Sequence, residues 1–266
     1  MKVFVKPVLG VFIFVFLQLL TGWAIKLFFM PLTPKKLAAS IIVSGLITVL
    51  ILYRMRMIRR WTVYPMDIKW RYTPSAFAAA IFGIFAGNVL SEYLNLPNPM
   101  KMEFFSMIRD SWGIFAIVVF GPIVEELVFR EAFIGYTTRH SVPREAAVLL
   151  SALAFSLIHL NPAQMPFAFI MGVLLGLIYV KTKSVVITSI IHIANNSLAV
   201  WEMKKLGLKI DEFSYITILG GERNTLILIL LSSALCFLFL RDFYRKYHYS
   251  RHKAKKRHHH HHHHHS

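Results

Sequence analysis

Cysteine, acid and ordinary surface charge are what this chain has least of. A single cysteine, Cys236, among 266 residues excludes an internal disulfide and any thiol pair for metal or redox chemistry. Its surroundings, LILILLSSALCFLFL, mark it as a packing residue. Asp and Glu number 13 against 30 Lys and Arg, and charged residues make up only 16%. Ordinary globular domains carry roughly 25%. No internal repeat, low-complexity tract or Gly/Ser linker divides the chain into flexible modules. Three common signatures are also missing: GxSxG, HExxH and a phosphate-cradling glycine loop. Those absences remove the best-known serine hydrolase, zinc protease and nucleotide-binding readings.

What fills the space is apolar sequence, 56% of the chain with 14% aromatic. Runs of roughly 17–25 apolar residues are long enough to cross a bilayer. Eight such runs are expected, near 7–30, 37–53, 75–95, 111–135, 145–160, 164–180, 184–201 and 225–240. The fold class is therefore all-α, a polytopic membrane protein of about eight transmembrane helices. The first run follows Lys2 and Lys6 as a signal peptide would. It is too long for the apolar region of one and lacks a small-x-small cleavage site, so it reads as an anchor helix. The organisation expected is one membrane domain: three helices in 1–110, a polar-bearing core in 111–201, and a loop, last helix and basic tail in 202–257. The run at 258–266 is a purification tag and plays no part in the fold.

The net charge of +17 invites a nucleic-acid reading, but its distribution speaks against one. Bases gather in RMRMIRR (54–60) and RKYHYSRHKAKKR (245–257), each abutting an apolar run. That is how juxtamembrane segments meet anionic headgroups. With the N-terminus cytoplasmic, most Lys and Arg outside the helices fall on the cytoplasmic side, which places both termini inside. A prokaryotic plasma membrane is the expected location.

The informative residues are those that break the apolar pattern. GPIVEELVFREAF (121–133) sets Glu125, Glu126, Arg130 and Glu131 inside the fourth run. A carboxylate at a helix centre costs roughly 2.5–3.5 kcal/mol on insertion scales, so each needs a reason. Glu126 and Arg130 are four apart and can pair along one face. Glu125 points about 100° away and finds no partner in its own helix. The fifth run carries Phe155 and His159, the seventh His192 and Asn196, each pair four apart on one face. At ~1.5 Å per residue, Glu125 is about 20 Å from Thr138 and His159 about 22 Å from Arg144. His192 is about 14 Å and Asn196 about 20 Å from Lys183, so the groups can share a layer. A carboxylate in an apolar cavity suits a general base, histidines can hold water or a metal, and an amide can donate to an oxyanion. These are the parts of a water-activating hydrolase. A lone Glu125 would equally serve as a proton relay in a small transporter, which predicts flux without peptide cleavage.

Glu125-Glu126-x-x-x-Arg130, Phe155-x-x-x-His159 and His192-x-x-x-Asn196, in that order and on separate runs, resemble the three motifs of the CPBP family, the CAAX proteases and bacteriocin-processing enzymes. The resemblance covers about residues 111–200. It implies an all-α intramembrane endopeptidase in which Glu125 and His159 activate a water. It further implies that His192 and Asn196 form the oxyanion hole, with Glu126, Arg130 and Phe155 in support. No cofactor is certain for the family. A zinc ion, if used, would fall to Glu125, His159 and His192, leaving an open position. The implied partner is a peptide or membrane-protein substrate, lipidated or not, reached from a bilayer with anionic headgroups, and no nucleic acid. A catalytically silent member acting as a scaffold or regulator is the alternative; it would be favoured by loss of a motif residue, and none is lost.

Overall fold

Prolines and caps fix where the helices begin. In the computed structural model, residues 1–59, 68–207, 209 and 212–262 are described, with side chains as far as Tyr247. Arg60 of the first basic cluster and the last tag residues lie outside the described residues. Helix α1 (Val5–Phe28) carries no charge between Lys6 and Lys26. Helix α2 (Pro34–Arg54) opens on Thr33, whose hydroxyl accepts from the Lys36 amide, with proline in the first turn. Helix α3 (Pro74–Leu94) likewise starts on proline and ends at Asn95 in the left-handed region. A short α4 (Lys101–Met107) leads into α5 (Ser111–Arg139), the central element. Then follow α6 (Arg144–Leu157), α7 (Met165–Thr182), α8 (Val185–Leu206), a single turn α9 (Tyr215–Ile218) and α10 (Glu222–His262). The described residues form helices and connections without strands.

Each of the eight expected runs holds a helix, yet six are long and apolar enough to span a membrane: α1, α2, α3, α5, α7 and the Glu222–Tyr247 part of α10. The other two depart for different physical reasons. Helix α6 stops at Leu157, 14 residues long, so it extends only about 21 Å. Helix α8 has the length, at 22 residues, but Thr188, Ser189, His192, Asn195 and Asn196 dilute its hydropathy. Each buries one face against its neighbours, Ser151 and Phe155 on α6 and Thr188 and His192 on α8, and leaves an apolar face exposed, Leu149 and Leu153 on α6 and Leu198 and Trp201 on α8.

Small residues let the helices close up. Added Cβ atoms at Gly172 and Gly176 would meet Ala152 and Val148 at 2.9 Å, so the glycines of α7 form the expected close face, packed on α6. On α3, a Cβ at Gly83 would meet Cys236 at 3.0 Å, which makes the lone cysteine a packing residue of the α3–α10 contact. Helix α5 packs on α1, α2, α6, α7 and α8. From Glu126 to Gly135 every residue of α5 is buried. Outward-facing Phe12, Phe16 and Trp23 on α1 and Leu230, Leu231 and Phe237 on α10 form the exposed apolar surface expected of a lipid-facing wall.

Candidate active site

The polar residues of α5 come in two groups, both away from lipid. Glu126 and Arg130 are wholly buried, with Arg130 Nε 2.9 Å from Glu126 Oε2 and a second guanidinium nitrogen 3.3 Å from Oε1. The pairing expected from their spacing is therefore present. A further bond was not expected: His192 Nδ1 lies 2.8 Å from the same Oε1. The opposite ring nitrogen of His192 faces Glu125 Oε2 at 3.6 Å. One imidazole from α8 thus sits between two successive carboxylates of α5. Glu126 ionised beside arginine can only accept, so Nδ1 carries a hydrogen and Nε2 is turned to Glu125.

His159 is not inside its helix. Helix α6 ends two residues earlier, and His159 occupies the turn that follows. The cause lies downstream, where Asn161-Pro162 and the start of α7 at Met165 force the chain to reverse. Its Nδ1 is 2.8 Å from the Phe155 carbonyl, which can only accept, so Nε2 is left as a bare acceptor. Phe155 does more than fill space behind the site. Its ring meets the His159 ring edge-on at 4.9 Å and the His192 ring at 5.8 Å. The Arg130 guanidinium stands 4.9 Å from the same ring. A desolvated cation over an aromatic face is worth up to about 2 kcal/mol, which helps to hold the buried arginine.

Asn196 depends on a local widening of α5. Phe115–Phe120 follow the wider π pattern, in which each amide reaches five residues back, and Gly121 N–H bonds to Ala116 O. The next donor in that register, aimed at Ile117 O, would come from Pro122, which has none. Asn196 Nδ2 fills the gap, donating to Ile117 O at 2.9 Å. Its own Oδ1 accepts from Asn195 Nδ2 at 3.2 Å, so the two asparagines act together. One Asn196 amide hydrogen is not engaged by that carbonyl.

Glu125, Phe155, His159, His192, Asn195 and Asn196 all line one cavity of about 660 Å³. Its remaining wall comes from α1 to α4 and α7, with Gln18, Ser40 and Ser44 among the polar contributors. Near its rim, Tyr215 donates to Glu202 at 2.9 Å. Burial, then the Glu202 carboxylate, push that phenol far above its ordinary range, so it stays a donor. As to a metal, no group of three His, Cys, Asp or Glu side chains among the described residues converges closely enough to hold an ion. Glu125, His159 and His192 share the cavity without closing on one point, and no step below runs through a metal.

Glu131 belongs to a separate centre. It is wholly buried and accepts from the Tyr179 hydroxyl, from the Arg59 backbone N–H at 3.1 Å, and from Arg139 at 3.4 Å. These partners come from the segment after α2, from α5 itself and from α7. Sequence reasoning saw an intramembrane carboxylate there but no partner, because two of the three lie more than forty residues away in the chain.

Comparison with known proteins adds a family to this geometry. The family model described as "Type II CAAX prenyl endopeptidase Rce1-like" matches residues 108–198. The membrane-embedded CAAX protease MroQ of Staphylococcus aureus (strain USA300) is 35% identical over 92 residues, 33% of this chain and 37% of that protein. The likeness therefore spans little more than a third of that relative's length. No solved structure matches significantly. The matched stretch begins just before α5 and ends two residues after Asn196, so it contains every motif residue.

Proposed function

We propose that this chain is an intramembrane endopeptidase that hydrolyses a peptide bond within the cavity, a reading supported by the match of residues 108–198 to the type II CAAX prenyl endopeptidase model. The observation that carries the reading is His192 held between Glu126 at 2.8 Å and Glu125 at 3.6 Å on the cavity wall. Arg130 keeps Glu126 an acceptor, Glu126 fixes the ring of His192, and Glu125, partly exposed to the cavity, is left for chemistry.

In the proposed reaction a water sits between Glu125 and the bare Nε2 of His159. Glu125 takes one proton as the water oxygen forms its bond to the substrate carbonyl carbon. Negative charge gathers on the carbonyl oxygen, where the free amide hydrogen of Asn196 can donate. His192 Nε2 joins it when the ring carries its second proton. The intermediate collapses as the C–N bond breaks, and Glu125 returns its proton to the leaving amine. Should a zinc ion be used, it would supply Lewis-acid activation of that water, and Glu125, His159 and His192 would have to draw together to hold it. The substrate would be a peptide or membrane-protein segment, and the basic clusters would rest on anionic headgroups of the cytoplasmic leaflet.

Reconstituted wild-type protein, Glu125→Ala and His159→Ala should be incubated with membrane extracts and the released peptides sequenced. Products present with wild type and absent with both variants support the reading. Retained products in one variant remove that residue from the mechanism, and identical products with all three leave the scaffold alternative.

A further inference from the structure

The cavity has a second polar wall that the chemistry above does not use. Among the described residues, buried side-chain atoms lacking a hydrogen-bond partner fall in three places. One is the Glu126–Arg130 pair, where the ionic contact accounts for Oε2 and Nε, and the guanidinium carrying the remaining Nη1 stands over the Phe155 ring. The others are Ser91 Oγ on α3 and Asn161 Oδ1 in the turn before α7, and both residues line the cavity.

Asn161 is held firmly while its oxygen is left over. It is wholly buried, and its Nδ2 donates to Asn98 Oδ1 at 2.9 Å. Its backbone carbonyl accepts from Gln164 and Met165 at 2.9 and 3.1 Å and so starts α7. The adjoining Ala163 amide donates to Pro97 O at 3.2 Å, tying the whole turn to the segment after α3. One amide hydrogen and the main-chain carbonyl thus have fixed partners, and Oδ1 is the side-chain atom left without one. A buried acceptor without a donor is destabilising, and that cost is recovered when a donor arrives. Asn88 and Asn98 also line the cavity, and every member of this group is neutral.

The chemistry of that wall selects its ligand. A carboxylate would be repelled by the Asn161 lone pairs, and an ammonium would find no counter-charge among amides and a hydroxyl. A neutral N–H donor fits, and a peptide main chain presents one at every residue. We propose that Asn161, with Ser91, is a substrate-binding subsite that accepts a backbone N–H of the peptide away from the scissile bond. Lying two residues beyond His159, it would register the chain against the water-activating groups. The proposal rests on the protease reading.

The test uses a peptide that the wild-type protein cleaves in liposomes, resynthesised with each amide outside the scissile bond replaced in turn by an ester. In wild type, one ester should lower kcat/KM by about 3- to 10-fold, mainly through KM. That same ester should cost less than about twofold in Asn161→Ala or Ser91→Ala, because the partner is already gone. Ser91→Ala removes an atom that bonds nothing else, so it remains informative if Asn161→Ala does not fold. Equal ester penalties in wild type and variants, or no penalty at any position, overturn the subsite while leaving the protease intact. A wild-type protein that cleaves no peptide overturns both.

Discussion

Glu126 Oε1 and His192 Nδ1 are 2.8 Å apart, a direct bond between α5 and α8 that no water mediates. The carboxylate nearest the imidazole is thus the buried, arginine-paired one rather than the cavity-facing Glu125. This divides labour between adjacent residues of one helix. Glu126 is committed to Arg130 and His192, and in the proposed reaction Glu125 is the carboxylate that exchanges a proton. The arrangement follows the logic of a carboxylate that orients a histidine without titrating itself.

Breaking the buried pair on one side should unfold the protein more readily. Arg130→Met leaves a buried carboxylate with the His192 imidazole and the Thr188 hydroxyl beside it and no cation paired to it, and a loss of about 3–5 kcal/mol is expected, read as a lower melting temperature in detergent. Replacing both, Glu126→Met with Arg130→Met, should recover most of that stability. Cleavage should stay absent, because nothing then holds the His192 ring. A fully active double variant would show that the pair serves stability alone.

Glu125 presents the opposite profile. It is only partly buried and its closest partner stands at 3.6 Å, so little native structure rests on it. Glu125→Gln should melt within a few degrees of wild type while the cleavage rate falls about 10²–10⁴-fold. Wild-type turnover would transfer the base to another group.

These expectations show how far the sequence could be read. The Glu126–Arg130 pair was legible because four residues make less than a helical turn and a half, whatever else the chain does. Helical rise allowed the three motifs to meet at similar depth, and their residues line one cavity. The end of α6 before His159 was not, since AFSLIH continues the apolar pattern past the point where Pro162 turns the chain. Nor was the Asn196 bond to Ile117, which needs the π register of α5 and is hinted at only by Gly121-Pro122 within an apolar run. Glu131's ties to Tyr179 and Arg59 are tertiary, and no local period encodes them.

The Glu131 centre yields a test that spares the cavity. A Cβ at Gly135 would come within 2.6 Å of the Tyr179 hydroxyl and 2.9 Å of an Arg139 nitrogen. Gly135→Ala should therefore crowd the Tyr179–Glu131 contact and cost about 1–3 kcal/mol of stability. KM for any cleaved peptide should not change at temperatures where the variant is folded. Thermal melts beside steady-state kinetics would check both parts.

Metal dependence can be read directly. With no three-donor group converged among the described residues, dialysis against a chelator should leave the cleavage rate within about twofold of the untreated protein. Elemental analysis of the active sample should find zinc well below one atom per chain. Loss of activity restored by added zinc would reverse this expectation and require the three donors to draw together.

Asn196 carries two burdens, and a second site can separate them. Asn196→Ala removes the donor to Ile117 O, which should cost about 1–3 kcal/mol for the orphaned carbonyl. It also removes the amide proposed to face the oxyanion, which should lower kcat by about 10²–10³-fold. Pro122→Ala supplies a backbone N–H at the position from which the π register points to Ile117. In the combined Asn196→Ala, Pro122→Ala protein, the melting temperature should return toward wild type while kcat stays low. The restored backbone bond can satisfy the carbonyl but cannot reach the substrate from inside α5. If kcat recovers with the melting temperature, Asn196 serves only to close a gap that Pro122 opens, and the oxyanion donor must be sought at Asn195.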